Sequence, residues 1–439
     1  MIDKTLLENN HRTMYITHGD FDAPSIQNSY GSLVALLNKV LCEGFNHLIP
    51  SSIEIENNCV LKVFLPTNHS YLKNQVVNIT GCLQEECNGN FRIKEVFQNY
   101  IKVNLKTVVN FTEVSTTSSF KIKVAPLGYT RVYNSTDSLT MCFKNSSKKS
   151  PVILKVIDKI PPNGYLTTWS KYARVVIGTE IDSKGDFIDN KKSPYLSDYP
   201  DAENTGNKVS GASGIHGYAK WDYATFHTQY ANENGSPSNT FPRKWTIVGD
   251  SLSFYLIIDS QGSGYPTILG FGNFESYNKT ESYNSFLQAR GSFNNTNSNY
   301  DAGYSRSLNY FGAIGANTQI RMSGNFLLAN AYGSFSNDLK YRTGGLYFSS
   351  TSAEYPHRNA ILKNSNPQAG TLITSKLFII DEDTGIVRGN HRGIKCFYGI
   401  PQVSLNKITE EGLIVLEFND SGNSQVNAPY LFSLLDWDV

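Results

Sequence analysis

The stretch NGNFRIKEVFQNYIKVNL, residues 88–105, alternates apolar and polar side chains on both sides of a short polar interruption. Phe91 and Ile93 alternate with Arg and Lys, and the residues from Ile101 to Leu105 alternate in the same way. Successive side chains of a strand point to opposite faces, so this period of two predicts strands with one buried face. The Asn-Gly pair at its start is a hairpin signal. The stretch therefore predicts antiparallel β-structure.

The same alternation extends in both directions from this stretch. Short runs such as SIEIENNCVLKVFLP, QVVNITGC and SSFKIKVAP follow one another from residue 52 onwards, punctuated by Asn-Gly or Gly. This arrangement is typical of a small antiparallel β-barrel. Downstream, KWTIVGDSLSFYLIID carries a hairpin signal at Gly249-Asp250, and the last third of the chain continues in this style. The sequence therefore predicts a mainly β protein.

One segment, GSLVALLNKVLCEGF at residues 31–45, has a different period. Its apolar residues recur three and four positions apart, which predicts one amphipathic helix of about three turns near the N-terminus. These residues are Leu33, Leu36, Leu37, Val40 and Leu41. We expect Ser32 to be the N-cap and Gly44 to stop the helix in a left-handed conformation.

These patterns divide the chain into three expected parts. Residues 1–51 supply a strand and the helix, which pack on the body; residues 52–124 form the inserted small β-barrel; residues 125–439 form a larger β-sandwich-like body. The polar stretches at 182–217 and 276–310 are longer than ordinary loops, so we expect them to be ordered against something that they contact.

The bulk composition excludes several classes of function. The chain has 439 residues, with 39 Lys and Arg against 38 Asp and Glu, so its net charge of +1 gives no overall attraction to nucleic acid or to an anionic membrane. The N-terminus lacks the pattern of a secretory signal, and no apolar run is long enough to span a bilayer. We therefore expect no nucleic-acid partner, no membrane partner and synthesis in a cytoplasm.

Metal and cofactor motifs are also weak. Four side chains of the right chemistry for zinc lie close in sequence: Cys59, His69, Cys82 and Cys87. The C-x4-C spacing is loose and a second cysteine pair is missing, so we interpret these as structural thiols. Two acidic groups offer oxygen ligands for calcium: Asp182, Asp186 and Asp189, and Asp381, Glu382 and Asp383. Neither matches the 12-residue calcium loop, so solvated acidic turns are expected. No cofactor or metal is predicted.

Catalytic motifs are equally scarce. The chain contains no phosphate-binding glycine loop, and GASGIHG misses the spacing of a serine-hydrolase elbow. The aromatic content of 12% suits stacking on sugars, and glycoside hydrolysis would need two carboxylates across one sugar. The candidates are Asp222, Asp250, Asp259 and Glu275. Because β cores and subunit interfaces also favour Tyr and Phe, we expect no catalytic residues.

Residues 125–145, APLGYTRVYNSTDSLTMCFKN, resemble a segment of a family of tailed-bacteriophage virion structural proteins, in which an A-P-L-G-W turn leads into two strands. In this chain Tyr129 replaces the usual Trp, and residues 182–240 are longer and more polar than the family pattern. Other segments are similar to the family, in the same order along the chain. Two precede residues 125–145: GSLVALLNKVLCEGF and VFLPTNHSYLKNQVVNITGCLQEECNGNFRIKEV. Four come after them: RKWTIVGDSLSFYLIID, ILGFGNFES, IVRGNHRGIKCFYGIPQ and LFSLLDWDV.

The resemblance implies a non-enzymatic part of the virus particle, in the tail, baseplate or neck, or decorating the capsid. Its implied partners are other copies of itself and neighbouring virion proteins. The alternative is a receptor-binding or glycan-binding tail component with depolymerase activity, whose partner would be a host surface glycan. Structural roles are expected for Leu33, Leu37, Leu41, Pro126, Tyr129, Trp245, Tyr255 and Trp437.

Overall fold

The computed structural model describes thirteen stretches of the chain. They are residues 13–149, 151–162, 170–188, 192–193, 200–206, 218–224, 242–259, 267–277, 285–291, 373–380, 387–398, 413–419 and 427–433. Within them, no helix is both long enough and apolar enough to cross a membrane.

Strands dominate the first part of the chain. They are β1 (Met14–Thr17), β2 (Phe45–Leu48), β3 (Ser52–Glu56), β4 (Val60–Phe64), β5 (Val76–Cys82), β6 (Gly89–Val96), β7 (Tyr100–Asn104), β8 (Thr116–Val124), β9 (Thr130–Asn134), β10 (Thr140–Lys144), β11 (Ile153–Ile157) and β12 (Ala173–Gly178). The helix α1 (Ser32–Asn38) continues into a π-helical turn (Lys39–Glu43), and a 3₁₀ turn spans Glu85–Cys87.

Strands dominate the second part as well. They are β13 (Lys192–Ser193), β14 (Ala219–Trp221), β15 (Lys244–Gly249), β16 (Ser253–Asp259), β17 (Thr267–Asn273), β18 (Glu275–Ser276), β19 (Ser285–Gln288), β20 (Arg290–Gly291), β21 (Ile373–Ile380), β22 (Val387–Tyr398), β23 (Leu413–Asn419) and β24 (Asn427–Ser433). A short helix, α2 (Ala202–Thr205), lies between β13 and β14.

These strands form four sheets, and every named strand pairing among the described residues is antiparallel. The sheet orders are β1-β15-β16-β17-β19, β20-β14-β12-β11-β10-β9 with β13 beside β12, β18-β22-β24-β23 with β21 beside β22, and β2-β8-β5-β6-β7-β4-β3. The predicted mainly β class is confirmed.

One sheet is curled strongly into a half-barrel. The seven-stranded sheet from β2 to β3 has what such curling needs, because its register shifts at β-bulges in β2, β5 and β6. Along β4 and β7 the buried residues alternate with more exposed ones, as the period of two predicts. The division of the chain at residues 51 and 124 stays a prediction.

The predicted amphipathic helix is confirmed, whereas its predicted cap is wrong. It runs for 12 residues, and its five predicted apolar residues are fully buried. Gly31 occupies the N-cap position, and the Ser32 hydroxyl instead donates to the carbonyls of Gln27 and Ser29. The acceptor that caps the helix is the carboxylate of Asp158, which directly follows β11. The backbone N–H groups of Leu33 and Val34 donate to it at 3.0 and 3.2 Å.

Gly44 ends the helix with a positive φ of 76°, but its ψ of 178° lies outside the predicted left-handed helical region. A Cβ at this position would lie 2.4 Å from the carbonyl oxygen of Val124 at the end of β8. Glycine is therefore needed both for its φ angle and for the close approach of the half-barrel.

Residues 125–145 form a corner that leads into a hairpin. Gly128 has φ 98°, and Tyr129 is buried with its ring edge-on to Phe254 at 5.7 Å. Strands β9 and β10 then pair, which confirms the predicted hairpin. The hairpin predicted at Gly249-Asp250 is also confirmed, since β15 and β16 pair on both sides of it.

Candidate functional site

Two of the four carboxylates proposed for sugar hydrolysis meet around one guanidinium. Arg392 Nη2 lies 3.3 Å from Asp250 Oδ2, and Arg392 Nη1 lies 3.8 Å from Glu275 Oε1. Glu275 also accepts a hydrogen bond of 2.9 Å from the amide of Asn390. The fold thus brings together a hairpin loop, β18 and β22, which are far apart in sequence. Arg392 was not a predicted site residue, and no local pattern around it indicates this pairing.

Asp250 has a structural role in this cluster. It is 4% exposed, and its Oδ1 accepts hydrogen bonds of 2.8 and 3.0 Å from the backbone N–H groups of Leu252 and Ser253. The cavity beside it has a volume of about 10 Å³. A cavity of that size holds about one water molecule and is too small for a sugar ring.

The remaining two candidate carboxylates are Asp222 and Asp259. Asp222 is buried at 4% exposure directly after β14. The side chain of Asp259 lies outside the described residues. Asp250 and Glu275 are therefore the two sugar-hydrolysis candidates that the described residues bring together, and both lie against a cation.

Of the side chains considered for zinc, His69 is held by two backbone groups, and the buried Cys82 and Cys87 lie close to each other. His69 is 5% exposed, its Nε2 donates to the Phe97 carbonyl at 2.8 Å, and its Nδ1 accepts from the Tyr71 N–H at 3.2 Å. Burial raises the pKa of Cys82 to about 12 and that of Cys87 to about 11, so both remain thiols at neutral pH. Within the described stretches, no group of three His, Cys, Asp or Glu side chains could hold a metal ion.

The acidic groups proposed for calcium are only partly described. Asp182 Oδ1 accepts from the backbone N–H groups of Lys184 and Asp186, which makes a tight polar turn. The Asp186 carboxylate lies 2.6 Å from the ammonium of the buried Lys155, which lowers its pKa against the opposing effect of burial. Asp189 and the group at residues 381–383 lie outside the described residues, as does Trp437.

A surface that sequence reasoning missed lies on the outer side of the sheet that runs from β2 to β3. Phe97 stacks on Tyr100 with ring centroids 4.3 Å apart, and Phe64 lies 5.7 Å from the same ring. The ammonium of Lys62 lies 4.6 Å from the centroids of both Phe64 and Tyr100, and that of Lys102 lies 5.9 Å from Phe97. Part of the signal was present, because Phe64 and Tyr100 occupy positions of β4 and β7 that alternate with buried ones, whereas Phe97 lies in the turn between β6 and β7.

We expect Arg392→Met to lower the free energy of unfolding by about 2 kcal/mol, because the buried Asp250 carboxylate then loses its cation. Asp250→Asn keeps the acceptor for the turn, so the double variant should cost less than the two single costs combined. Lys39→Met removes an exposed pair with Glu43 and should cost less than about 1 kcal/mol. Denaturant unfolding of wild type and the four variants measures these costs, and strictly additive costs for Arg392 and Asp250 would contradict the assignment.

Comparisons with known proteins identify no family. No family model and no curated protein matches the chain. Among solved structures, Phage phi92 endosialidase aligns with 88% of this chain and 68% of its own, at 9% sequence identity and a TM-score of 0.16. A likeness of that size is too slight to establish a shared fold, so the β class rests on the sheets of this chain alone.

Proposed function

We propose that this protein is a non-enzymatic structural component of a bacteriophage virion, in the tail, baseplate or neck, that acts by multi-copy assembly with itself and with neighbouring virion proteins. The observation that carries the proposal is the placement of its aromatic and acidic residues. Among the described residues, Asp250, Glu275, Trp221 and Trp245 hold distant segments of the chain together.

The tryptophans illustrate this use. Trp221 is fully buried and its indole N–H donates to the Gln288 carbonyl at 2.9 Å, while Trp245 is 1% exposed and donates to the Pro24 carbonyl at 2.9 Å. Tyr255 is 2% exposed. These side chains are therefore not available to stack on a sugar in the folded chain. The predicted structural roles of Tyr129, Trp245 and Tyr255 agree with this burial.

The assignment to a phage particle is supported by the resemblance at residues 125–145 and by the chemistry of the surface. Several large apolar side chains of residues 45–124 are exposed, including Ile49 at 77%, Leu83 at 67% and Val108 at 73%. Their exposure suits a sheet that contacts neighbouring subunits, where apolar area becomes buried on assembly.

Glycan binding by a tail component is a second candidate, and the surface formed by Phe64, Phe97 and Tyr100 favours it. The exposed Phe97 ring and the partly exposed rings of Phe64 and Tyr100 can stack on the apolar face of a sugar. The adjacent ammonium and carboxylate groups of Lys102 and Glu56, 2.7 Å apart, could bind hydroxyls. This candidate is binding without hydrolysis, since Glu54 and Glu56 on this face of the sheet each pair with a lysine.

Mass spectrometry of purified particles of the encoding phage tests the proposal. We expect this chain among the particle proteins in multiple copies, with antibody labelling of the tail, baseplate or neck. Labelling of the capsid shell would instead favour a decoration protein. Absence from the particle, or a recombinant monomer that hydrolyses a host polysaccharide, would overturn the proposal.

A further inference from the structure

One end of the seven-stranded sheet that runs from β2 to β3 carries a concentration of positive charge. Lys121 and Lys123 lie on β8, and Lys123 Nζ donates to the backbone carbonyl of Glu43 at 2.6 Å. Lys39 and Arg131 reach the Glu43 carboxylate at 2.9 and 3.3 Å. Lys39, Lys123 and Arg131 thus lie around Glu43, and Lys121 is close enough to affect the pKa of Lys123. We name Lys39, Lys121, Lys123 and Arg131 the basic end.

The basic end crowds like charges together. His47 on β2 lies close enough that burial and then Lys123, Lys39 and Lys121 lower its pKa, so it stays neutral at neutral pH. The pKa of Lys123 is lowered first by burial and then by Lys121. Repulsion of this kind costs stability in an isolated chain, and an acidic partner would remove that cost.

The opposite end of the same sheet is acidic. Glu85 and Glu86 form the 3₁₀ turn after β5, and both are exposed. Glu113, also exposed, is held beside them by Gln84, whose Nε2 donates to the Glu113 carbonyl at 3.3 Å. No Lys or Arg of the described stretches pairs with these three carboxylates. We name them the acidic end.

The two ends are too far apart to neutralise each other within one chain. Cys82, next to the acidic end, pairs with Thr116 at the start of β8, whereas Lys123 lies near its finish. Seven residues of extended strand span about 23 Å. The Debye length at physiological salt is about 8 Å, so the two charged ends do not sense one another through solvent.

Each end also presents an exposed aliphatic side chain. Ile49 lies two residues after His47, and Leu83 lies two residues before Glu85. An apolar residue next to a charged group is the usual composition of a docking patch, since burial of the apolar area adds affinity while the charges set orientation. The two ends are therefore complementary in charge and alike in apolar content.

We propose that the basic end of one copy docks on the acidic end of a second copy, so that chains associate head to tail. This inference rests on the proposed multi-copy role and names the partner and the surface. A head-to-tail contact uses two different patches of each chain and therefore leaves one of each free at the ends of a dimer, so it continues into a ring or a filament.

Sedimentation velocity of the recombinant full chain tests this docking. Wild type should self-associate at about 0.05 M NaCl and associate less at about 0.5 M NaCl, where exposed charges are screened. Lys39→Glu with Lys121→Glu should weaken association at least about tenfold, and so should Glu85→Lys with Glu86→Lys. A mixture of the two double variants should restore association, because the lysine variant keeps its acidic end and the glutamate variant keeps its basic end.

The matched control is Lys73→Glu with Lys94→Glu, which makes the same charge change at exposed lysines outside both ends. It should associate like wild type, and circular dichroism should show that all variants are folded. The docking would be overturned if wild type were monomeric or if the mixture did not restore association. It would also be overturned if Lys39→Glu with Lys121→Glu weakened association while Glu85→Lys with Glu86→Lys did not. Detection of the chain in particles is independent of these results, so the proposed function can stand if the docking fails.

Discussion

Asp158→Ala should lower the free energy of unfolding by about 3 kcal/mol at pH 7. The wild-type carboxylate is fully buried, and its Oδ2 accepts from the first backbone N–H groups of helix α1 while its Oδ1 accepts from the Tyr223 hydroxyl at 2.6 Å. Loss of a helix cap costs about 0.5–2 kcal/mol, and a buried donor without an acceptor costs about 1–3 kcal/mol. Denaturant unfolding followed by tryptophan fluorescence measures the change.

Asp158→Asn should cost less than about 1 kcal/mol at pH 7, because the amide oxygen can still cap α1. The Tyr223 hydroxyl can then donate to the Ser29 carbonyl, which already lies 3.1 Å away. As a control, Asp137→Ala removes an exposed carboxylate from the β9-β10 loop and should cost less than about 1 kcal/mol. Equal costs for Asp158→Ala and Asp137→Ala would contradict the capping role.

The difference in stability between wild type and Asp158→Asn has a predicted pH dependence. Burial raises the pKa of Asp158 to about 6 in the folded chain, against the opposing hydrogen bonds, while the unfolded value is about 3.9. The folded state therefore holds the proton more tightly. The resulting stabilisation is fully present below about pH 4, is lost as the pH rises through 6, and amounts to about 3 kcal/mol. The unfolding free energy of wild type minus that of Asp158→Asn should fall by about 2 kcal/mol between pH 4 and pH 7; a flat difference would contradict it.

Glu203→Gln should lower the free energy of unfolding by about 3–5 kcal/mol. Lys192 on β13 and Glu203 on α2 form a buried pair, with Nζ 2.7 and 2.9 Å from the two carboxylate oxygens and side chains only 3% and 1% exposed. Lys192 also donates to the Pro200 carbonyl. Removal of one partner leaves an uncompensated charge away from water, which is more costly than the loss of the pair as a whole.

Two further variants separate this explanation from a packing effect. Lys192→Met combined with Glu203→Leu removes both charges and should recover stability to within about 1–2 kcal/mol of wild type. Glu54→Gln removes one partner of an exposed pair with Lys62, 3.7 Å apart, and should cost less than about 0.5 kcal/mol. If the double variant were less stable than Glu203→Gln, packing rather than the isolated charge would be the cause.

Much of the fold could be predicted because it follows from short-range periodicity. The alternation in residues 88–105 predicts β6 and β7, and the spacing of Leu33, Leu37 and Leu41 predicts the buried face of α1. Backbone geometry dictates both periods, so a few consecutive residues contain the information. The hairpin at Gly249-Asp250 was predictable for the same reason, since its turn is local.

The contacts that join these elements could not be predicted in this way. Ser32 was the expected cap because it is adjacent in sequence, yet the acceptor is Asp158, 125 residues from Leu33. The charge that faces Asp250 comes from Arg392, 142 residues away. The basic end likewise joins residues of the helix, β8 and β9.

The sequence by itself therefore determined which segments are strands, where the helix lies and which of their faces are buried. Only the tertiary structure decided which polar side chains meet, and with it the roles of Asp158, Arg392 and the two charged ends of the seven-stranded sheet. The physical reason is that the period of an element depends on the backbone of neighbouring residues, whereas a hydrogen bond or ion pair depends on which distant segments the strand order places side by side.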